Sequence, residues 1–258
     1  MRKSITKSIY IIVLFAVIIL LSACSCTGTP IEEEVPVIEE VVEEPAEVYE
    51  PVDLIETDKP DTVYEVVEER TINPFVAQLR EQYGNDEIVG YLYIEGTDIR
   101  YPVTQYIDNV FYLYHDVHRQ SDRAGWIFLD YANDITREEP NTIIYGHNMR
   151  QNIRFHGIRN FQNRGFFEAH RYITLHTVYE EQRWEIFSFY RTNIDFFYIQ
   201  VEFESDEEFY ALLSEMAARS MHESGVEVGP GDRVLTLSTC TNAARDERFV
   251  INARLIQE

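Results

Sequence analysis

Cys240 and His147 are the side chains of this sequence that best fit a thiol-based acyl transfer. Cys240 follows the apolar run 234–239 and His147 follows the run 142–146, so each is expected at the end of a strand. A thiol is mostly protonated at neutral pH, so a cysteine nucleophile needs a neighbour that holds the thiolate and later protonates the leaving amine. His147 fits that role best, because the other six histidines lack a setting of a strand followed by glycine.

An arginine close to Cys240 in sequence completes the set. Arg248 opens the last apolar run, eight residues after the cysteine, so a hairpin return would bring its guanidinium near the thiol. A fixed, permanently charged donor there stabilises an oxyanion or holds a substrate carbonyl. Arg245 is a competing candidate three residues earlier. Each residue also has an ordinary structural interpretation: an inert core cysteine, a loop histidine bonded to backbone, or a solvated charge.

Eight short runs, rich in β-branched and aromatic residues and bounded by turn residues, predict the strands that would carry these groups. The runs are 88–94, 99–104, 125–129, 142–145, 172–176, 184–190, 234–238 and 249–256. Residues 95–98, Glu-Gly-Thr-Asp, join the first two runs through a tight connection, which favours an antiparallel hairpin. Eight short strands predict a mainly β fold, either a closed barrel or a sandwich.

Two helices are predicted around this β pattern. The first is a short helix that begins at Asn73-Pro74 and ends at Gly84-Asn85. The apolar residues between them recur at helical spacing. Later in the chain Ser205 and Glu208 form a capping box ahead of apolar residues at helical spacing, between the sixth and seventh strands.

The first 72 residues lack the pattern of a globular domain. They predict an export signal followed by a spacer. Residues 1–26 hold three basic residues ahead of an apolar run that ends in Leu-Ser-Ala-Cys at Cys24. That ending resembles a lipoprotein lipobox, in which the cysteine is acylated, and it fits equally an uncleaved anchor helix or a cleaved signal. Residues 27–72 carry sixteen acidic residues without a periodic pattern, which predicts a disordered tether. Residues 73–258 remain as one domain on the extracytoplasmic face of the cell membrane.

Charge and composition indicate which kinds of partner the protein is expected to bind. The net charge of −23 repels phosphate backbones, so nucleic acid is not an expected partner, and a basic or neutral peptide fits better. Acidic residues are better interpreted as a solvated surface than as a calcium site, so neither a metal nor a cofactor is expected. Cys240 is the one cysteine of residues 73–258, which leaves it without a disulfide partner there.

Three separated motifs, taken in order, resemble the sortases, and most closely their class B. They are Tyr-Gly-His-Asn at 145–148, Thr-Leu-Ser-Thr-Cys at 236–240, and Arg248 followed by an apolar strand. Residues 109–116 and 125–131 resemble the class B segments that precede the catalytic histidine, and the long late helix is another class B feature. The resemblance covers residues 73–258. It implies a closed eight-stranded β-barrel with an N-terminal helix and a long helix between strands 6 and 7.

The same resemblance implies a cysteine transpeptidase. The Cys240 thiolate would attack a threonine carbonyl in the C-terminal sorting motif of a secreted protein, with His147 as acid and base and Arg248 as the transition-state cation. An amine of the peptidoglycan or of its lipid-linked precursor would then resolve the thioester. Class B substrate-groove positions carry over to Asn109, Leu113, Tyr145, Tyr198, Ile199 and Ser238. One departure is Thr241-Asn242, where class B members often carry an acidic residue just after the cysteine.

Three other functions fit parts of the sequence. A cell-wall cysteine peptidase or amidase also uses a cysteine and a histidine, but usually with the cysteine opening a helix and the histidine downstream, whereas here His147 comes first. A non-catalytic envelope lipoprotein would fit the lipobox and the acidic spacer, but it leaves the order of His147, Cys240 and Arg248 unexplained. A substrate of a sortase is disfavoured, because the sequence ends directly after a strand without an apolar segment or basic tail.

Overall fold

The computed structural model describes residues 70–149, 153–193, 195–240 and 247–257. Within them lie eight strands, which confirms the predicted number and the mainly β class. The strands are β1 (Ile88–Ile94), β2 (Arg100–Thr104), β3 (Phe128–Leu129), β4 (Asn141–Tyr145), β5 (Tyr172–Thr177), β6 (Glu181–Thr192), β7 (Val234–Cys240) and β8 (Arg248–Leu255). They close into a barrel in the order β1-β2-β3-β4-β7-β8-β6-β5, which decides between the predicted barrel and sandwich.

Two strands, β3 and β6, differ in length from their prediction by three residues or more. The third was expected over 125–129, but only Phe128–Leu129 pair, because Gly125 has a left-handed φ of 55° that a strand does not accommodate. The N–H of Trp126 accordingly donates to the carbonyl of Tyr112 at 2.7 Å and not to a neighbouring strand. The sixth strand was expected over 184–190 and extends further at both ends, since it pairs with β5 near its start and with β8 along the rest.

Both predicted helices are present, at α1 (Pro74–Tyr83) and α3 (Asp206–Ala218). The Asn73 side chain caps α1 by accepting the N–H of Phe75, and the helix ends at Gly84 in a left-handed conformation. Ser205 caps α3 by accepting the N–H of Glu208. The Glu208 carboxylate accepts the N–H of Glu204 and not that of Ser205. Only one of the two hydrogen bonds of the predicted capping box therefore forms. A third helix, α2 (Arg164–Ala169), and the 3₁₀ segments Phe111–Leu113 and Phe155–Gln162 were not predicted.

The parallel pairing between β4 and β7 determines which residues lie side by side at one end of the barrel. Tyr145 is the register partner of Ser238, and the ladder continues as Gly146 donates its N–H to the carbonyl of Ser238 at 3.2 Å. Parallel strands end on the same side, so the residues that follow Tyr145 and Ser238 emerge together. β8 then returns antiparallel to β7, with Cys240 and Arg248 as register partners, so the hairpin return predicted from their spacing is present.

The barrel interior is filled by large apolar side chains that hold these strand ends rigid. Trp184, Phe189 and Leu92 are fully buried, as are Ile144 on β4 and Leu237 on β7. Close packing of this kind restricts rotamers and backbone shifts, so the strands act as a fixed frame. A second cluster packs α1 against the start of β1 through buried residues that include Val76 and Ile88.

A buried polar chain ties the connection after β6 to this frame. Asn252 donates to the Thr236 hydroxyl at 2.9 Å, and Thr236 donates to the Asn141 side-chain oxygen at 2.7 Å. The Asn141 amide in turn donates to the carbonyls of Tyr198 at 3.3 Å and Gln200 at 2.9 Å. The chain therefore links β8, β7 and β4 to a segment that carries no regular structure of its own.

The predicted anchor at 1–26 and all but the last three residues of the predicted spacer at 27–72 lie outside the described residues. Arg70, Thr71 and Ile72 precede α1 without helical or strand structure. No helix in the described ranges has the length and apolar character needed to cross a membrane. The three-part division of the chain stays a prediction.

Asn141→Ala tests whether the buried polar chain holds the segment at Tyr198. The substitution leaves the Thr236 hydroxyl and two carbonyls without their partner, so we expect the free energy of unfolding in urea to fall by about 1–3 kcal/mol. Asn160→Ala, at an exposed asparagine, is the control and should change it little. Equal unfolding curves for the two variants would contradict the role given to Asn141.

Candidate active site

A cavity of about 440 Å³ opens at the barrel end where β4 and β7 finish and β8 begins. Its lining combines the residues predicted for the substrate groove and for catalysis with aromatic residues from the connection after β6. The lining residues are Asn109, Leu113, Phe128, Tyr145, Gly146, His147, Asn193, Phe196, Phe197, Tyr198, Ile199, Ser238, Thr239 and Arg248. The fold thus brings all six predicted groove residues into one cavity with His147 and Arg248, although their roles stay predictions.

Two backbone contacts hold His147 in place. Its own carbonyl accepts the N–H of Phe155 at 3.0 Å, and its ring nitrogen Nε2 lies 3.0 Å from the carbonyl oxygen of Leu113. The residue before it must be glycine, because a Cβ at Gly146 would lie 2.8 Å from the Phe155 ring. The strand-then-glycine pattern of the sequence therefore has a packing cause, and it fixes where the imidazole leaves the barrel.

Cys240 ends β7, directly after the buried lining residue Thr239, and its backbone pairs with Arg248. Counting two residues past the register pair Tyr145 and Ser238 gives His147 on one strand and Cys240 on the other. Arg248 is half-buried and donates from Nη1 to the carbonyl of Glu247 at 3.0 Å. The competing candidate Arg245 and the departure at Thr241-Asn242 lie outside the described residues.

A buried carboxylate organises one side of the cavity. Asp130 is 4% exposed, and its Oδ2 accepts from the Tyr145 hydroxyl at 2.7 Å and from the Asn109 amide at 2.9 Å. The Asn109 oxygen accepts the N–H of Tyr131 at 2.9 Å, which fixes its amide orientation and leaves one N–H for a ligand. Burial, and next the hydrogen bond to Asp130, raise the pKa of Tyr145, so its hydroxyl stays protonated at any working pH.

The opposite wall comes from the connection between β6 and α3. The Tyr198 hydroxyl and the Ser238 hydroxyl lie 2.8 Å apart and are buried, so the wall is joined directly to β7. Phe197 is 63% exposed beside them, whereas Ile199 is half-buried. The wall is therefore anchored at its base and apolar where it faces the opening.

The cavity lining indicates what kind of ligand it would suit. Groups of three or more residues suited to hold a metal ion do not occur within the described ranges. The lining is rich in aromatic and neutral polar groups, with His147 and Arg248 at the end where Cys240 leaves β7. Such a lining suits a largely uncharged ligand.

Residues 92–256 match the family model described as the sortase domain. The chain belongs to the sortase family. Membership makes it a cysteine transpeptidase that acts in the cell wall on proteins bearing sorting signals, which confirms the predicted enzyme class. The non-catalytic envelope lipoprotein, left open by the sequence, is thereby excluded.

The similar proteins agree with the predicted class B. Sortase B of Listeria monocytogenes is 38% identical over 174 residues, which are 67% of this chain and 71% of that protein. The structure of a Staphylococcus aureus sortase B-substrate complex superposes with a TM-score of 0.68 at 33% identity, covering 72% of this chain and 87% of that one. Sortase B from Bacillus anthracis in complex with AAEK1 gives a TM-score of 0.67 at 34% identity, covering 72% and 86%. Class B membership and the closed barrel are thus both confirmed.

Residues at this sortase site that were not picked out from the sequence include Asp130, behind the cavity wall, and the lining residues Phe196 and Phe197. Asp130 directly follows a buried strand, a position at which a carboxylate needs a partner, and that signal could have identified it. Phe196 and Phe197 lie in a segment without periodicity, and their place in the wall follows from the contacts made around Tyr198, which the sequence does not show.

Asp130→Ala tests whether the carboxylate positions the groove. Without it the Tyr145 hydroxyl and the Asn109 amide lose their shared acceptor, so we expect kcat/KM for a sorting peptide to fall by about tenfold or more. Asp134→Ala is the matched control, since that carboxylate bonds only within its own turn and to Arg137. A groove that binds peptide normally in Asp130→Ala would show that the carboxylate has no positioning role.

Proposed function

We propose that this sortase cleaves the C-terminal sorting motif of a secreted protein after a threonine and transfers the new carboxyl end to an amine of the peptidoglycan. The observation that carries the proposal is the convergence of three strand ends on one cavity. β4 leads to His147, β7 ends at Cys240, and β8 begins at Arg248, beside the six groove residues predicted from the sequence.

In the proposed first half-reaction, the Cys240 thiolate attacks the threonine carbonyl carbon. The carbonyl oxygen gains negative charge, and the Arg248 guanidinium stabilises it as a permanently charged donor. The carbon–nitrogen bond then breaks, a protonated His147 gives its proton to the leaving amine, and a thioester remains on Cys240. The downstream peptide departs from the cavity as the free amine.

In the second half-reaction the nucleophile is an amine of the cell wall. It attacks the thioester carbon, His147 accepts the proton that the nitrogen loses, and the Cys240 thiolate leaves. The enzyme returns to its starting protonation state without any cofactor, because one proton is donated and one is recovered. The amine is carried by peptidoglycan or its lipid-linked precursor.

The groove supports recognition of an extended motif. The Tyr145 hydroxyl is bonded to Asp130, so the Tyr145 side chain forms a fixed edge of the cavity. Asn109 beside it offers one amide N–H to the peptide. Leu113 and Ile199 supply apolar contacts on the two sides, while Tyr198 and Ser238 form the base. A peptide with small or neutral side chains fits these surfaces better than an acidic one, because the domain is itself acidic.

We further propose that residues 1–26 hold the enzyme at the outer face of the cell membrane and that residues 27–72 form its tether. The 46 residues of the tether would reach about 150 Å when fully extended, at about 3.3 Å for each residue. That length is sufficient to place the cavity well into the wall. The export signal and the charged, proline-containing spacer of the sequence support this arrangement.

Cys240→Ala and His147→Ala test the chemistry directly. Incubation of the wild-type protein with a library of sorting-type peptides should yield an acylated Cys240, detected by mass spectrometry of its peptide. Cys240→Ala should give no adduct and no cleavage, and His147→Ala should lower turnover by at least about a hundredfold. Both variants should keep the wild-type circular dichroism. Undiminished turnover in either would remove that residue from its role.

Arg248→Lys tests the transition-state cation. The lysine keeps the charge but loses the planar fork, so we expect kcat to fall by about 10²–10³-fold with a smaller change in KM. Arg191→Lys is the matched control, because Arg191 lies on the adjacent β6 and pairs with Glu247 at the surface. A loss of kcat in Arg245→Lys, with normal kcat in Arg248→Lys, would transfer the role to Arg245.

Fractionation of cells that express the full-length protein tests the anchor. We expect the protein in the membrane fraction and its domain open to protease added outside intact cells. Cys24→Ser separates the two kinds of anchor, since loss of membrane retention indicates acylation and continued retention indicates an apolar helix. Recovery of the wild-type protein in the cytosol would contradict the proposed location.

A further inference from the structure

The contact between His147 and Leu113 determines which ring nitrogen is able to exchange a proton. Nε2 lies 3.0 Å from the Leu113 carbonyl oxygen, and a carbonyl only accepts hydrogen bonds. Nε2 must therefore carry a hydrogen whenever this bond is formed. In the neutral ring the lone pair then lies on Nδ1, and in the charged ring the proton that can be given away is the one on Nδ1.

The Leu113 carbonyl is held in place from two sides. Asp108 accepts the N–H groups of Val110 and Phe111, each at 2.8 Å, at the start of the 3₁₀ segment that ends with Leu113. On the other side lies Gly125, where an added Cβ would be 2.6 Å from the carbonyl oxygens of both Tyr112 and Leu113. The chain at Gly125 is thus pressed against the very carbonyl that faces the histidine.

Arg154 joins Gly125 to the backbone of His147. Its Nε donates to the Gly125 carbonyl at 2.7 Å, and its guanidinium lies 4.1 Å from the centre of the Trp126 ring. Arg154 is 8% exposed and is bridged through its backbone to Asn148, the residue after His147. The next residue, Phe155, donates its N–H to the His147 carbonyl. One short segment therefore holds both the histidine backbone and the support beneath its ring partner.

We propose that Gly125 and Arg154 are positioning residues, which hold the Leu113 carbonyl against Nε2 of His147 so that Nδ1 performs every proton transfer of the reaction. This rests on the proposed role of His147. During acylation Nδ1 gives its proton to the leaving nitrogen as the carbon–nitrogen bond breaks. During transfer Nδ1 accepts the proton lost by the incoming amine as the new carbon–nitrogen bond forms and the carbon–sulfur bond breaks. Nε2 keeps its hydrogen throughout.

Nitrogen NMR of the full-length protein, labelled with ¹⁵N in the histidine rings, tests the proposal without any substitution at Gly125 or Arg154. His147→Gln identifies the signals of His147 by their loss. At a pH where the ring is neutral, we expect a protonated Nε2 and an unprotonated Nδ1. A neutral ring with its hydrogen on Nδ1, or an even mixture of the two tautomers, would overturn the assignment of nitrogens.

Gly125→Ala tests the positioning role, with Gly225→Ala as its matched control. Both glycines have a left-handed φ, 55° and 72°, but the Cβ of an alanine at 225 would meet no atom within 4 Å. We expect Gly125→Ala to mix the tautomers of His147 and to lower kcat by about a hundredfold with little change in KM, whereas Gly225→Ala leaves both unchanged. Wild-type tautomer and kcat in Gly125→Ala would refute the role of Gly125.

Arg154→Met provides an independent test, because it keeps an unbranched side chain that reaches to the position of Nε but removes the donor to Gly125. The same loss of tautomer preference and of kcat is expected, and a wild-type result would refute the role of Arg154. The inference and the proposed function fail in different ways. If His147→Ala retains turnover, the proposed function fails, whereas the wrong tautomer together with an inactive His147→Ala overturns only the present inference.

Discussion

The parallel pairing of β4 with β7 is the constraint on which the rest of this site depends. Its register sets Tyr145 against Ser238, so two strands that are far apart in sequence leave the barrel in step. An antiparallel arrangement would place His147 and Cys240 at opposite ends of the barrel. Since β8 begins opposite Cys240, with Arg248 as its register partner, the same register also determines where Arg248 lies at this end of the barrel. Three groups with separate positions in the sequence are thus aligned by one ladder of backbone hydrogen bonds.

Buried polar side chains extend this alignment from the strands to the loops. Asp130, Asn141 and Arg154 are each less than a tenth exposed, and each bonds to at least one group on a segment that has no strand of its own. A buried polar group without a partner is costly, so such a side chain specifies one arrangement of the loop that it serves. The cavity is therefore organised before any ligand enters, as transition-state stabilisation requires.

The sequence was most informative where local pattern and tertiary structure agree. The strand over 88–94, the helix opened by Asn73-Pro74 and the helix capped by Ser205 were predicted from periodicity and caps that act within a few residues. The third strand was overestimated because Gly125 is held in a left-handed turn by packing against Tyr112, a contact that periodicity does not record. Groove residues such as Tyr198 became visible through family resemblance, since their common cavity depends on the order of strands in the closed barrel. Asp130 escaped attention because its partners lie on two other segments.

The wall that carries Phe197 and Tyr198 belongs to the connection between β6 and α3, and this has a consequence for the divergence of such enzymes. The connection bonds to the frame at Asn141 and Ser238 and packs its apolar side chains against the strands, while β4, β7 and β8 are held together by backbone pairing that does not involve it. Insertions and substitutions there reshape one side of the cavity without disturbing the register that aligns His147, Cys240 and Arg248. Natural selection can thus change which sorting signals are accepted while the chemistry is inherited intact.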